Sequence, residues 1–136
     1  MVDFEVLISH ALKARECAYA PYSHFKVGAA LITKEGKIYE GCNIESASYS
    51  LCNCAERTSI FKAVSEGERF FKAIAIVGAL EGQEVTKICT PCGSCRQVML
   101  EFCKPKKFKI VLPKDNEKYD VYTLDELLPL GFKLDM

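Results

Sequence analysis

Five of the eight cysteines in this 136-residue chain stand in two short segments, Cys52-Asn53-Cys54-Ala55-Glu56-Arg57 and Cys89-Thr90-Pro91-Cys92-Gly93-Ser94-Cys95-Arg96-Gln97. Each segment runs directly into a helical pattern, so a fold that brings them together must aim two helix N-termini at one point. In the second segment Thr90 reads as an N-cap and Pro91 as the first helical residue, which sets Cys92 and Cys95 at i and i+3 on one face. In the first, Asn53 reads as the N-cap, with Cys54 first in the helix and Glu56 third. Side chains in a first turn lean toward the N-terminus, so Cys54 and Glu56 converge just beyond the helix end. The free N–H groups and dipoles of two such termini favour thiolates over thiols.

Cysteine numbers of this kind can also signal a disulfide framework. Against that, the opening stretch Met1 to Ala18 is amphipathic and charged throughout, with neither a signal-peptide core nor a cleavage pattern, and no later apolar run reaches spanning length. A cytoplasmic, reducing location is expected, where clustered thiols serve metal binding or catalysis. Three thiolates and one non-ligand carboxylate describe an open tetrahedral zinc site, its fourth position left for water whose pKa the metal lowers. Glu56 is placed to move that water's proton. Three thiolates leave negative charge, which Arg57, at i+3 from Cys54, and Arg96, next to Cys95, are placed to offset. Two other readings stand beside this one. Glu56, three residues after Asn53, is also a capping-box carboxylate, and recruiting Cys52 or Cys89 would give a closed, inert four-thiolate centre. Cys17, Cys42 and Cys103 read as small core hydrophobes; His10 and His24 have no motif context and read as solvated or loop residues.

The rest of the chain supplies one domain, 1–136, without repeats or linkers. Phe4, Leu7, Ile8, Ala11 and Leu12 form a helical stripe behind an Asp3 cap, the helix ending near Tyr19. Val27 to Ile32 reads as a strand, turned by Glu35-Gly36 into Lys37 to Cys42. Ile60, Ala63 and Val64 continue a helical face from Glu56, with Gly67 as its stop. Ala73 to Val77 has the uninterrupted apolar character of a strand covered on both faces. Cys95, Val98, Met99 and Phe102 give the next helix its buried stripe, before a strand at Phe108 to Leu112 and a possible further one near Val121. Thr123 and Glu126 sit at capping-box spacing ahead of a last short helix. The fold class is therefore α/β, a three-layer α-β-α sandwich with a central mixed β-sheet.

Cys54-Ala55-Glu56 followed by Pro91-Cys92-Gly93-Ser94-Cys95 resembles the signature of the zinc-dependent nucleoside deaminases, whose chemistry is already established for the family. Further short motifs agree in order and spacing: Tyr19-Ala20-Pro21-Tyr22-Ser23, Phe25 with Val27-Gly28-Ala29-Ala30, Gly41-Cys42-Asn43-Ile44-Glu45, Arg57-Thr58, Cys92 to Val98 and Glu126-Leu127-Leu128-Pro129. Together they resemble cytidine deaminases of the short, homotetrameric type, over about residues 12 to 102 and again near 123 to 132. Ser94 and Thr90 stand where that family often has other small residues, and 103–122 shows little likeness.

The resemblance implies that Cys54, Cys92 and Cys95 bind one zinc per subunit. It implies that Glu56 shuttles protons from water to the ring nitrogen N3 and on to departing ammonia. Ala55 and Glu56 would read the base edge, Phe25 would pack on the base, and Asn43 and Glu45 would hydrogen-bond the 3′-hydroxyl of the ribose. Tyr49, in the loop beginning at Ala47, and Phe132 would reach a neighbouring subunit's site in a homotetramer. The implied activity is hydrolytic deamination of cytidine and 2′-deoxycytidine to uridine and 2′-deoxyuridine, in pyrimidine salvage. A modified cytosine nucleoside and a structural zinc module are the competing readings. The charge balance, 18 basic against 18 acidic side chains, lacks the field that draws proteins to nucleic acid or anionic membrane and suits a small neutral substrate.

Overall fold

Asp3 opens the first helix as predicted. In the computed structural model, which describes residues 1–134, its side chain accepts the N–H groups of Glu5 and Val6 at 3.0 and 3.2 Å, and α1 spans Phe4–Arg15. The helix stops at Arg15 rather than near Tyr19 because Arg15 turns inward. Its guanidinium donates to the carbonyls of Lys26, Ala79 and Leu80 at 2.9–3.0 Å, tying the helix end to two strands. The chain then leaves helical geometry so that Tyr19 can donate its N–H to Asn43 O at 3.0 Å.

Five strands follow, each near its predicted place: β1 Phe25–Thr33, β2 Ile38–Cys42, β3 Phe71–Leu80, β4 Lys109–Pro113 and β5 Tyr119–Thr123. They form one sheet in the order β2-β1-β3-β4-β5. β3 and β4 pair in parallel and every other neighbouring pair is antiparallel, so the sheet is mixed as expected. Three more helices, α2 (Ala55–Ser65), α3 (Gly93–Phe102) and the single turn α4 (Leu124–Leu127), complete the predicted order, with a 3₁₀ turn at Tyr49–Leu51. Gly67, at φ +98°, takes the left-handed conformation that stops α2. Thr123 and Glu126 form the reciprocal capping box of α4.

The sheet is covered on both faces. Leu7 and Ala11 of α1 pack against Ala30, Ala73, Ala75 and Val77, while Ile60, Met99 and Leu124 pack against Leu31, Ile74, Ile76 and Ile110 on the opposite side. Alternate residues of β3 thus enter different cores, which is why that strand reads as one apolar run. α1 and α2 each approach a strand of the sheet closely at a glycine. A Cβ on Gly28 would collide with Ala11 O and Arg15 N, and one on Gly41 would lie 2.5 Å from both Ala55 O and Ser59 N.

Two expectations about isolated residues change. Cys17 is exposed and Cys42 only half-buried, because the early end of α1 leaves Cys17 in a surface turn; Cys103 is buried as predicted. His10 lies on α1, and its Nδ1 meets Glu40 Oε2 of β2 at 2.7 Å.

Candidate active site

The sulfur atoms of Cys54, Cys92 and Cys95 all lie within 4.8 Å of one another. The predicted caps are displaced by one or two positions to achieve this. Cys54, not Asn53, is the N-cap of α2 (φ −73°, ψ 154°), and Cys92, not Thr90, is the N-cap of α3 (φ −68°, ψ 166°). Extended backbone at a cap aims the side chain past the helix end, whereas a helical residue would lay it along the cylinder. Asn53 instead donates from Nδ2 to Thr58 Oγ1 at 3.1 Å. Cys95, in the first turn of α3, completes the trio from a fully buried position.

Glu56 is 4% exposed, in the first turn of α2. Burial pushes its carboxyl up to about 7, and the negative sulfur of Cys54 adds to the rise. The Cys54 thiol is held down to about 5, first by a hydrogen bond from Cys95 and then by Arg57, whose Nη2 donates to Cys54 Sγ at 3.2 Å. Cys95, as donor to that thiolate, is pushed far up in turn. Arg57 therefore sits where its charge was expected to act. Arg96 donates from Nε to Pro91 O at 2.7 Å and from Nη1 to Leu127 O at 2.6 Å, so it braces the loop before α3 against α4.

Cys52 and Cys89 both stand apart from the trio. Cys52 Sγ accepts the N–H of Ser46 at 3.2 Å. Cys89 packs with Phe25 over Gly78, where an added Cβ would meet Cys89 Sγ at 2.7 Å and Phe25 Cζ at 3.2 Å. Its thiol is pushed up to about 11 by burial and then by the charges of Glu56 and Cys54. It stands beside the site as a neutral group, not as the fourth thiolate of a closed centre.

The other predicted residues gather in the loops at the ends of β1 and β2. Asn43 accepts the N–H of Val27 on Oδ1 at 2.9 Å and donates from Nδ2 to Phe25 O at 2.8 Å. Ile44 and Asn53 exchange backbone hydrogen bonds at 3.0 and 2.9 Å, which ties this segment to the residue before Cys54. Glu45 accepts the N–H groups of Tyr22 and Ser23, both at 3.1 Å. Tyr49 and Phe132 are 79% and 69% exposed, large aromatic surface left open among the described residues. A cleft of about 990 Å³ lies between α1, the loop after β3 and the β4–β5 turn, and none of these groups lines it.

Residues 1–112 match the family described as the cytidine and deoxycytidylate deaminase zinc-binding region. The chain belongs to this family. It is 50% identical to a cytidine deaminase of Sporosarcina psychrophila over 96% of this chain and 92% of that protein. It is 49% identical to one from Halalkalibacterium halodurans over 96% and 95% of the two chains. The crystal structure of cytidine deaminase from Burkholderia pseudomallei superposes with a TM-score of 0.87 at 50% identity, covering 96% of this chain and all of that one. That from Mycobacterium tuberculosis gives 0.81 at 36% identity, covering 98% and 100%.

The metal of the deaminase family is zinc, and the sulfur trio fits it. Zinc–sulfur bonds of about 2.3 Å in a tetrahedron place neighbouring sulfurs about 3.8 Å apart. Cys54 and Cys92 are separated by 3.8 Å, and Cys92 and Cys95 by 3.6 Å. The Nε of Arg57 is buried without a hydrogen-bond partner among the described residues, a spare donor beside a centre rich in acceptors.

Proposed function

We propose that this deaminase converts cytidine and 2′-deoxycytidine to uridine and 2′-deoxyuridine, breaking the C4–N bond with water and releasing ammonia. The observation that carries this reading is Glu56, a nearly enclosed carboxyl two residues from Cys54, beside three convergent sulfurs. A carboxyl at that place can take and return protons within one turnover. Cys54, Cys92 and Cys95 would hold the zinc, which when bound supplies a water nucleophile acidic enough to act at neutral pH. Glu56 takes a proton from the attacking water, places it on N3, and delivers a second to the departing amine. The backbone at Ala55 and the Glu56 carboxyl read the base edge. Phe25, fixed between Ser23 and Asn43, packs on the base, while Asn43 and Glu45 meet the 3′-hydroxyl. Arg57 offsets part of the thiolate charge.

The exposure of Tyr49 and Phe132 supports a homotetramer in which each reaches a neighbouring subunit's site. The single domain, the zero net charge and the described helices, none long and apolar enough to cross a membrane, support a cytoplasmic role in pyrimidine salvage rather than action at a lipid surface or on polynucleotides.

An ultraviolet assay of cytidine conversion by purified protein, with zinc measured on the same sample, tests the activity. Turnover of cytidine and deoxycytidine by zinc-loaded protein is expected; bound zinc without turnover of either overturns the assignment. Light scattering checks the assembly, and an active monomer would remove the shared-site role of Phe132.

A further inference from the structure

Phe25 is held by its peptide from both sides. Asn43 Nδ2 donates to its carbonyl at 2.8 Å, and its N–H donates to Ser23 Oγ at 3.0 Å. That same hydroxyl donates its proton to Glu45 Oε2 at 2.5 Å, while Glu45 Oε1 accepts the N–H groups of Tyr22 and Ser23. Carboxylate, hydroxyl and amide thus stand in series from Glu45 to Phe25. The loop that carries them is otherwise strained. His24 has φ +58°, a left-handed conformation costly for a residue with a Cβ, and it persists because its N–H donates to Ala20 O and its carbonyl accepts from Glu81 N–H.

The hydrogen-bond count at Glu45 limits what else it can accept. An ionised carboxylate offers about four lone-pair sites. Two on Oε1 are filled by backbone N–H groups and one on Oε2 by Ser23, so the vacant acceptor position is on Oε2. Oε1 is fixed by main chain that any residue at position 23 would supply, whereas Oε2 is fixed by the Ser23 hydroxyl. Glu45 and Ser23 also border a cavity of about 270 Å³ shared with Tyr22, Ser46, Tyr49 and Cys52, so the residue lies beside open space.

We propose that Ser23 is a positioning residue: by holding Glu45 Oε2 and the Phe25 amide at once, it orients the single free acceptor of Glu45 toward one substrate hydroxyl. The proposal rests on the reading that Glu45 meets the ribose 3′-hydroxyl. Without Ser23 Oγ the carboxylate pivots about Oε1, its remaining acceptor no longer aimed, and the Phe25 N–H loses its partner.

Cytidine and 3′-deoxycytidine, assayed with the zinc-loaded wild type, Ser23→Ala and Ser23→Thr, test it. The wild type should favour cytidine. In Ser23→Ala the kcat/KM preference for cytidine should shrink about tenfold, the order expected for losing the alignment of a hydrogen bond to a charged group. The loss should fall mainly on KM for cytidine, and Ser23→Thr, which keeps the hydroxyl, should restore it. The ratio of the two kcat/KM values does not depend on how much of a variant is folded, so a general weakening of the structure cannot mimic the result. An unchanged preference in Ser23→Ala overturns the Ser23 proposal alone. A wild type that does not distinguish the two nucleosides overturns the Glu45 reading and the proposal with it.

Discussion

At one end of the site, Cys54, Cys92 and Cys95 sit on the caps and first turn of two helices whose bodies are packed into the core. At the other, Ser23, Phe25, Asn43 and Glu45 sit at loop and strand ends held by side chains bonded to backbone. The sulfur end is rigid because α2 and α3 would have to move as bodies to change it. The loop end is rigid only while each hydrogen bond of a short series is intact. The sulfurs are thus mounted on packed helices, and the groups proposed to hold the substrate's sugar on a network that single substitutions can loosen by degrees.

Substitutions at the two ends should therefore fail differently. Glu56→Gln should keep zinc and fold while kcat falls by about 10²- to 10⁴-fold, the usual share of general acid–base catalysis; metal analysis and steady-state kinetics check this, and near-normal kcat would remove Glu56 from the chemistry. Asn43→Ala should act on stability and binding together. It strips partners from Val27 N–H and Phe25 O, so urea unfolding should show a loss of about 1–3 kcal/mol, with a raised KM for cytidine. A raised KM with unaltered stability would show that Asn43 meets substrate without bracing the loop.

A gentler perturbation of the loop end is acid. The Glu45 carboxyl is held below its ordinary 4.5, chiefly by the Ser23 hydroxyl and also by the two backbone N–H groups. Its ionised form accepts these bonds, so they are fully present above the ordinary carboxylate range and are lost as pH falls through the depressed pKa. An NMR titration of the Ser23 amide should accordingly show a midpoint below 4.5; one at or above it would mean the series is not formed in solution. The smallest effect is expected from Cys52→Ser, which should leave zinc content and turnover unchanged. Loss of zinc there would overturn the three-sulfur ligand set and blur the boundary between the two ends.

The sulfur end was legible in the sequence because metal chemistry demands particular residue types, and Cys54, Glu56, Cys92 and Cys95 advertise themselves by spacing. Their local geometry was not. Asn53 and Thr90 are good caps by propensity, yet the cap position went to cysteines that need extended backbone to point past the helix. Nor does adjacency to Cys95 give the direction of Arg96, whose guanidinium meets the carbonyls of Pro91 and Leu127. The layer order of the fold came through from β3's double-sided apolar run and the helical stripes. Arg15 was missed although Leu7, Ala11 and Arg15 follow one another at i+4, placing a charged group on the buried face, where only strand-end carbonyls could satisfy it. Ser23 stands in the sequence only as the end of the Tyr19-to-Ser23 motif, because the two groups it joins, Glu45 and the Phe25 amide, meet only in the fold.

The close approach at Gly41 reaches beyond the packing of α2. Any side chain there would strike the backbone of Ala55 and Ser59, one residue past Cys54 and three past Glu56. The helix that Cys54 caps and that bears Glu56 would be levered off the sheet with no polar group altered. In a library of single substitutions scored only by deaminated product, Gly41 would rank among the reacting residues though it touches no substrate. The map of genetic intolerance in this chain is therefore wider than its chemistry.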